Sequence, residues 1–530
     1  MPSMTETPPA ATGTPGAAES RNNQTEVFAV HGADPEVLAY AMAKYSRSAL
    51  SMKESLREIS TQRAEQFLST FYFQYGHRSI ADLAHVAFAV ERLSLLAAIV
   101  LVDEQRWDGQ ERSTRYQNFR KSGWYMPDFG ADAASASRYR ETIEQLFATY
   151  HSVLEAVFAS LQQQVPKPAE MKQESYDRTL KARAFDVARY LLPLATNTSL
   201  GQIVNARTLE TQISRLLSHP LAEVRQLGVR LQAAASGPAW NVHAEELAAL
   251  QKDIAALDPA LGERAAALLT REVKTTPTLV KYAAVNDYQT RTREELRQAA
   301  AELLHAEAIE PAPLVDLIDD ADSLEVDLAA TLLYSQCHAP YRQIRAHVAA
   351  LTEARRNEII DLGIRHRGRH DELLREFAAG QSLRFDILMD IGGFRDMHRH
   401  RRCVQILQDF TAAHGYAIPE GLAEAGVQPL YEETIHAAHA ACRTLAAGSA
   451  LEAAESARYV LPLATKNRAL FKMDFAEALY IAELRSAPQG HFSYRRVAWE
   501  MYRAVERRHP ALAPYFRVTS ADEPVDLLKR

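Results

Sequence analysis

The segment QERSTRYQNF, residues 110–119, places a hydroxyl group two residues before a guanidinium group. In a loop, Ser113 and Arg115 at this spacing can hold one phosphate, because arginine offers two parallel hydrogen bonds to an anion. Glu111 lies beside them. Taken alone, this short pattern is equally typical of a solvated loop with a helix cap, so the phosphate site is a hypothesis that needs further anion-binding residues.

A second candidate is FRDMHRHRRCVQ, residues 394–405, which carries four arginines and two histidines within eight positions. On a chain with a net charge of -7, such a cluster needs an anionic counterpart, either carboxylates of the fold or a bound phosphate. Because charge runs are usually solvated faces, the residues alone favour a surface crossed by salt bridges.

An eleven-residue motif occurs twice, as ARYLLPLATNT from Ala188 and as ARYVLPLATKN from Ala457, at an offset of 457 − 188 = 269. Proline should end the preceding helix, which places Arg189 and Arg458 at helix C-termini next to partial negative charge. A capping role explains these arginines locally as well as a functional role does. Other segments recur in the same order, so the sequence indicates two copies of a domain and not a solenoid.

A further pair of segments stands at the same distance from the doubled motif. NARTLETQISRLL begins at Asn205, 205 − 189 = 16 residues after the first motif arginine, and DFAEALYIAELR begins at Asp474, 474 − 458 = 16 residues after the second. The equal spacing supports homology between the two halves of the chain.

Two short apolar runs predict one strand in each half, HVAFAV at residues 85–90 and LRFDILMDI at residues 383–391. Most of the remaining chain has apolar residues at helical spacing. The clearest helical segments are RAEQFLSTFYFQYG, RETIEQLFATYHSVLEAVF, TLETQISRLL, YEETIHAAHAACRTL, MDFAEALYIAELR and FSYRRVAWEMYRAVERR. The predicted fold is α+β, with two tandem copies of a helix-rich domain that contains a small sheet.

The length of 530 residues predicts more than one domain. We expect a disordered tail at residues 1–25, a first domain at 26–240, a helical connector at 241–290, a second domain at 291–520 and a tail at 521–530. The connector contains HAEELAALQKDIAALDPALGERAAALLTREV, whose helical periodicity is broken once at DPALG, so it predicts a helical hairpin.

Composition excludes several classes of protein. The acidic net charge gives no basic field for bulk binding of nucleic acid. The three cysteines have no paired spacing, which argues against a disulfide framework or a metal site and favours a reducing compartment. The longest apolar run, LSLLAAIVLV, is too short to cross a membrane, and the N-terminus lacks an apolar signal core. We therefore expect a cytoplasmic protein.

Taken in order, these segments resemble the flavin-dependent thymidylate synthases. That family has an early A-R-x-S helix, an H-G-H-x-S/T segment leading into a strand, the signature R-H-R-x-x-S-x-N-x-x-S-x-R, then A-R-x-x-L-P, and N-x-R before a helix that ends in arginine. The resemblance covers most of residues 34–231 and, more weakly, 324–518. It implies the family's helix-rich fold in each half.

The first half matches the tail of the family signature and lacks its head. The matching positions are Glu111, Ser113 and Arg115, which in the family hold the deoxyuridylate; Ser46, His77 and Ser79 on the flavin side; Arg189; and Asn205 with Arg207 in N-x-R. Asp103, Glu104 and Gln105 replace the R-H-R triplet. Leu216, next to Arg215, falls where the later nucleotide-binding arginine would stand.

The second half departs in the opposite way. Arg399, His400 and Arg401 restore the triplet, and Arg458 and Arg485 match the two later arginines. Val404, Asp409 and Thr411 replace the two serines and the final arginine of the signature, and Asp474 begins the segment that replaces N-x-R. Each half keeps what the other has lost, so we expect one composite site between the halves.

The resemblance implies reductive methylation of dUMP to dTMP, with FAD as cofactor and NADPH and methylenetetrahydrofolate as co-substrates. The implied catalytic residues are Ser113, Arg115 and Arg485, and the implied substrate-binding residues add Glu111, Arg189 and Arg458. The implied cofactor-binding residues are Ser46, His77, Ser79, Asn205, Arg207, Arg399, His400 and Arg401. Because family members are homotetramers, we expect a homodimer of this chain to form a pseudo-tetramer.

Two other functions are compatible with the altered signature. Asp103 and Glu104 place carboxylates where cations should meet an anionic cofactor, which favours a non-catalytic relative that serves as a scaffold or binding module. Alternatively, the chain is a flavoenzyme that acts on another pyrimidine nucleotide, since fold does not settle function.

Overall fold

A computed structural model describes residues 32–44, 52–59, 78–119, 122–304, 308–318, 324–368, 374–377, 383–448 and 451–528. Within these ranges the chain is rich in helices and has two small antiparallel sheets, one in each half. The predicted α+β fold is confirmed. The predicted helix RAEQFLSTFYFQYG lies outside the described residues, as do Ser46 and His77 and the side chain of Ser79.

The first half begins with helices and then alternates strands with helices. Its helices are α1 (Pro35–Lys44), α2 (Met52–Glu58), α3 (Leu95–Leu101), α4 (Ala133–Gln164), α5 (Gln173–Ala188), α6 (Ala206–Leu217) and α7 (Ala222–Ser236). Its strands are β1 (His85–Ser94), β2 (Asp108–Glu111) and β3 (Asn197–Asn205), and two 3₁₀ helices cover Arg78–Leu83 and Arg189–Leu191. The predicted strand at residues 85–90 is therefore confirmed.

The connector forms a helical hairpin of α8 (Ala244–Leu257) and α9 (Pro259–Leu269). Asp258 caps α9 by accepting hydrogen bonds from the backbone of Ala260 and Leu261, and proline stands at its first position. The two helices approach closely at Gly262, where an added Cβ would lie 2.5 Å from Ala255. The predicted break in the helical pattern is confirmed.

The second half repeats the order of the first and adds elements at its start. Its helices are α10 (Asp287–Leu303), α11 (Leu324–Tyr334), α12 (Tyr341–Ala350), α13 (Glu353–Leu362), α14 (Ile391–Met397), α15 (Gln428–Ala446), α16 (Leu451–Ser456), α17 (Phe475–Ser486) and α18 (Phe492–Arg508). Its strands are β4 (Val315–Ile318), β5 (Leu383–Asp390), β6 (Val404–Leu407) and β7 (Lys466–Met473). The 3₁₀ helices are Arg375–Phe377, Ala457–Val460 and Pro510–Tyr515.

The two sheets share one topology. Strand order is β1-β3-β2 in the first half and β4-β5-β7-β6 in the second, so that β5-β7-β6 repeats β1-β3-β2. The registers agree as well, because Glu111 pairs with Leu200 and Leu407 pairs with Ala469, and 469 − 200 is again 269. The structure therefore supports the duplication that the doubled motif predicts.

The two copies of the doubled motif lie against each other. Leu194 donates its backbone N–H to Leu461 at 2.9 Å, and the equivalent bond runs from Leu463 to Leu192 at 3.0 Å. A bridge between Pro193 and Pro462 lies between these bonds. The reciprocal pattern defines a local pseudo-twofold axis that relates the halves.

Helical packing extends this contact between the halves. The long helices α4 and α15 pack together, and the hydroxyls of Thr149 and Thr434 lie 3.0 Å apart across them. The largest hydrophobic core is one continuous cluster of buried side chains from both halves, from Leu93 to Phe516. Among the described residues, no helix has the length and apolar character needed to cross a membrane.

Candidate functional site

The candidate site lies where the loop after β2 meets the helix that follows β5. Strand β2 ends at Glu111, and the next four residues run toward the second half. Asp390 caps α14 by accepting a hydrogen bond from the backbone of Gly393 at 2.7 Å, which fixes the start of the segment that carries the arginine cluster. We call the two segments together with Arg189 and Arg485 the composite site.

Thr114 joins arginines from the two halves. Its hydroxyl accepts hydrogen bonds from Arg189 Nη1 at 3.3 Å and from Arg395 Nη1 at 3.4 Å. Arg395 also donates through Nη2 to the carboxylate of Glu111. The first-half loop and the second-half cluster are therefore in direct contact.

Asp396 lies at the centre of the guanidinium groups. Its Oδ2 atom is 3.5 Å from Arg189 Nη2. Burial alone would raise the pKa of Asp396, but the charges of Arg189, Arg115 and Arg399 outweigh it and lower that pKa. Asp396 is therefore ionised at neutral pH. Its one negative charge balances only part of the positive charge of these three arginines.

Several polar atoms of the composite site are buried without a hydrogen-bond partner among the described residues. They are Nε and Nη2 of Arg189, Nε of Arg395 and Oδ2 of Asp396. Buried N–H groups of this kind cost free energy when they are unmet, about 1–3 kcal/mol each. Buried guanidinium donors without hydrogen-bond partners suit an anion with several oxygen atoms, such as a phosphate.

Arg115 is held rigidly by the first half and touches the second. Its Nε donates to Asp186 Oδ1 at 2.8 Å, and its Nη1 donates to the hydroxyl of Tyr494 at 2.9 Å. Burial would lower the pKa of Arg115, but the hydrogen bond and charge of Asp186 raise it above its ordinary value. The guanidinium is therefore permanently charged, and its orientation is fixed by α5 and α18.

Tyr494 lies between two arginines from different halves. The Arg115 Cζ atom is 5.7 Å from the ring centroid, and the Arg485 Cζ atom is 5.4 Å from it. Cations at these distances are attracted to the ring. The contact brings together Arg115 and Arg485, two residues that the sequence predicts to be catalytic.

His400 is buried beneath Arg485 and accepts a hydrogen bond from Arg485 Nε at its Nε2 atom, at 2.8 Å. Burial first, and then the charges of Arg485 and Arg401, lower the pKa of His400 to about 3. Its ring is therefore neutral at pH 7, and it orients Arg485 as an acceptor.

A cavity of about 210 Å³ opens beside the composite site, and its lining includes Arg395, His398, Arg399 and Arg401 together with Glu111 and Trp107. The guanidinium of Arg401 lies 5.2 Å from the Trp107 ring centroid. The cavity thus combines cationic groups with an aromatic face, which suits an anion attached to a flat ring.

The equivalent interface on the other side of the pseudo-twofold axis has a different composition. Its cavity measures about 1600 Å³ and is lined in part by Asp103, Glu104, Arg207, Asp409 and Arg458. Two of the predicted site residues, Arg207 and Arg458, therefore lie apart from the small cavity that Arg399 and Arg401 line.

Asn205 has a structural role in this conformation. Its side chain caps α6 by accepting a hydrogen bond from the backbone of Thr208 at 2.8 Å, and Asp474 caps α17 in the same way with Glu477 at 2.8 Å. The equal spacing found in the sequence therefore corresponds to two equivalent helix caps.

The expectation that the charge run is a solvated surface is wrong for Arg395, His398 and His400, which are buried. Their burial is possible because Glu111 and Asp103 from the first half meet them. Sequence reasoning also missed Asp186 and Tyr494, since neither belongs to a motif. Asp396 lies within the quoted cluster, so the cluster's need for carboxylates could have identified it.

Comparison with known proteins identifies the family to which the chain is similar. The chain matches the family described as thymidylate synthase complementing protein over residues 28–235 and 314–511, one match in each half. A UPF0159 protein of Chlamydia muridarum is 30% identical over 95% of this chain and 93% of its own length, and one of Thermoplasma acidophilum is 26% identical over 92% and 96%.

Two proteins whose names state an activity also match, each over less than half of this chain. A flavin-dependent thymidylate synthase of Clostridium tetani is 24% identical over 37% of this chain and 81% of its own length. A structure of the flavin-dependent thymidylate synthase of Helicobacter pylori, complexed with FAD and dUMP, aligns at 16% identity and a TM-score of 0.26, covering 38% of this chain and 89% of that one. With a family match in both halves, the chain belongs to the thymidylate synthase complementing protein family, as a tandem duplication of its domain.

Proposed function

We propose that this chain is an FAD-dependent enzyme that converts dUMP to dTMP at one composite site between its halves. The observation that carries the proposal is the meeting of Thr114 with Arg189 and Arg395, where Nε of each arginine is buried without a hydrogen-bond partner among the described residues. Family membership supports the reaction class.

The nucleotide would be held by groups of both halves. Nε of Arg189 is available for the phosphate, since it is buried without a hydrogen-bond partner among the described residues. Arg115 and Arg485 would stabilise negative charge that develops on the pyrimidine ring, and their fixed orientation avoids reorganisation during the reaction. Glu111 and Ser113 would contact the base or sugar from the β2 loop.

Arg458 and Arg207 lie at the other interface, which removes the support for a direct role in this composite site. Nη1 and Nη2 of Arg458 donate there to two carboxylates, those of Asp409 and Glu455. We therefore restrict the proposed substrate-binding set to Glu111, Ser113, Arg115, Arg189 and Arg485.

FAD, when bound, supplies the hydride for the reductive methylation. Arg399, Arg401 and Trp107 are the residues whose cationic and aromatic groups fit a flavin dinucleotide, as its diphosphate needs positive charge and its rings need a flat apolar partner. We propose NADPH and methylenetetrahydrofolate as co-substrates, and a homodimer in which a second copy completes the cofactor pocket.

The test is the formation of dTMP by purified protein supplied with FAD, NADPH, methylenetetrahydrofolate and dUMP. Replacing Arg399 by Ala should lower kcat/KM roughly 100-fold, because the flavin diphosphate loses one of its cationic donors. Arg402→Ala is the matched control from the same cluster, since the Arg402 side chain is 69% exposed and pairs with Asp474. It should change the rate less than about twofold.

Other outcomes separate the alternatives. A protein that takes up FAD but binds another pyrimidine nucleotide in preference to dUMP, measured by thermal shift, would indicate a different substrate. A protein that takes up no FAD would rule out both flavoenzyme functions and favour a non-catalytic relative.

A further inference from the structure

The duplicated chain contains a second interface whose residues can be compared with the composite site one by one. Glu111 and Leu407 hold equivalent positions in the register of the two sheets, so Ser113 and Asp409, two residues further, are equivalent. Arg189 and Arg458 are equivalent in the doubled motif. We call the surroundings of Asp409 and Arg458 the mate interface.

The two motif arginines differ in how their donors are used. At the composite site, Nε of Arg189 has no hydrogen-bond partner among the described residues, and Nη2 forms an ion pair with Asp396 at 3.5 Å without a hydrogen bond. At the mate interface, Arg458 donates from Nη1 to Asp409 Oδ1 at 3.0 Å and from Nη2 to Asp409 Oδ2 at 3.4 Å. Glu455 accepts a further bond from Nη2 at 2.6 Å. Two oxygens of Asp409 thus meet Arg458 in the bidentate arrangement that a phosphate adopts with arginine.

The other substitutions at the mate interface have the same effect. Ser94 and Asp390 are equivalent helix caps at an offset of 390 − 94 = 296, which makes Asp103 equivalent to Arg399 and Glu104 equivalent to His400. Asp103 pairs with Arg375 and Glu104 pairs with Arg215, the latter at 2.7 Å. Carboxylates of the chain therefore stand where the composite site has cationic or neutral groups.

The charges of the two interfaces differ accordingly. The composite site brings the guanidiniums of Arg115, Arg189, Arg395, Arg399 and Arg485 together with three carboxylates, those of Asp186, Asp396 and Glu111. At the mate interface Arg215, Arg293, Arg297, Arg375 and Arg458 face four carboxylates, those of Asp103, Glu104, Asp409 and Glu455. The first set has two more cationic groups than carboxylates, whereas the second has one more.

Asp409 is ionised in this setting. Burial would raise the pKa of Asp409, but the charges of Arg458, Arg297 and Arg293 lower it below its ordinary value. The carboxylate is therefore ionised beside Arg458 at neutral pH.

We propose that Asp409 acts as an internal anion that takes the place of a ligand phosphate at the mate interface, so that each chain binds one nucleotide and not two. The identity of the ligand as a nucleotide rests on the proposed function, whereas the role of Asp409 does not. Replacing Asp409 by Ser, the residue at the equivalent position of the composite site, should expose Arg458 to an external anion.

The test uses inorganic phosphate and the thermal unfolding of the full chain, at low ionic strength and with chloride as the control salt. Asp409→Ser should unfold at a lower temperature than the wild type without phosphate, because Arg458 loses its partner. Phosphate should then raise the Tm of the variant by about 2–4 °C more than that of the wild type. The double variant Asp409→Ser with Arg458→Ala should lose this additional response.

An equal phosphate response of Asp409→Ser and wild type would overturn the inference. If the serine variant does not fold, Asp409→Asn removes the charge with nearly the same shape and should show the same gain. Equilibrium dialysis of dUMP provides the second measurement, in which one nucleotide per wild-type chain supports the inference and two per chain overturn it. If dUMP does not bind at all, the proposed function fails, and the phosphate response of the variant still decides the role of Asp409.

Discussion

Arg115 and Arg485 come from different halves of the chain, and a single aromatic ring sets their separation. Tyr494 contacts both guanidiniums by its faces and accepts a hydrogen bond from Arg115 through its hydroxyl. Asp186 holds the other side of Arg115, and His400 holds Arg485. The two arginines are therefore positioned by neutral and anionic groups that no motif in the sequence identified.

Replacing Tyr494 by Phe removes the hydroxyl that Arg115 Nη1 contacts at 2.9 Å and retains the ring. A hydrogen bond to a charged group contributes about 1.5–3 kcal/mol, so kcat/KM for dUMP should fall roughly 10-fold or more. The loss should appear mainly in kcat if Arg115 stabilises charge in the transition state. Tyr502→Phe, on the same helix, is the control, since the Tyr502 hydroxyl donates to Glu506 at 2.8 Å and Glu506 is not part of the composite site. Equal rates for Tyr494→Phe and wild type would contradict a positioning role.

The depressed pKa of His400 predicts a pH dependence of stability. The folded-state pKa of about 3 lies below the ordinary histidine value of 6.5, so the unfolded chain takes up the proton first as the pH falls. The stability of the folded chain that depends on a neutral His400 is fully present above about pH 6.5 and is lost as the pH falls toward 3. His400→Gln, which keeps an acceptor for Arg485, should flatten the curve of unfolding free energy by about one proton between pH 6 and pH 4. Urea denaturation at these pH values measures it, and an unchanged slope would show that His400 is protonated in the folded chain.

At the scale of elements, local sequence patterns predicted the strands β1 and β5, the helices around them and the break in the connector. They could not predict that Leu194 and Leu463 exchange backbone hydrogen bonds with the opposite copy of the motif. That contact depends on how whole domains pack. The apolar motif residues predict that the motif is buried, but they do not predict which surface it packs against. The same limit explains why the arginine cluster was expected on a surface.

The cap at the start of α6 allows the structural and cofactor-binding roles of Asn205 to be separated. Asn205→Ala should lower the unfolding free energy by about 1 kcal/mol, because the backbone N–H of Thr208 loses its acceptor. Asn205→Asp should retain the stability, as Asp474 caps the equivalent helix. If the aspartate variant is as stable as wild type and also binds FAD with unchanged affinity, Asn205 is a cap alone. A loss of FAD affinity with unchanged stability would restore its predicted role at the cofactor.

At the scale of the whole molecule, the halves share one core and one set of reciprocal backbone bonds. We therefore expect one cooperative unfolding transition, so that the unfolding curves measured by tryptophan fluorescence and by far-ultraviolet circular dichroism coincide. Trp107 lies in the first half and Trp499 in the second, so the fluorescence signal follows both. Two separated transitions would indicate that the halves fold independently and would weaken the case for a rigid site between them.

Duplication within one chain gives the halves freedom to diverge, because a residue lost from one copy can be retained in the other. The structure places Glu111 and Thr114 of the first half in direct contact with Arg395 of the second half, and it pairs Asp103 with Arg375 and Asp409 with Arg458. The sequence predicted the complementarity of the halves, but the geometry distinguishes the interface where Arg189 keeps a buried donor without a hydrogen-bond partner from the one where Arg458 is hydrogen-bonded to two carboxylates.

The most direct test of the central claim is a titration of FAD-loaded protein with dUMP, followed by the absorption spectrum of the flavin. We predict that the purified chain takes up FAD, that dUMP perturbs the flavin band, and that the change saturates at one nucleotide per chain. Arg399→Ala should abolish the response and Arg458→Ala should leave it in place. A chain that binds no FAD, or a dUMP response that survives Arg399→Ala and disappears in Arg458→Ala, would contradict the assignment of the site to this interface.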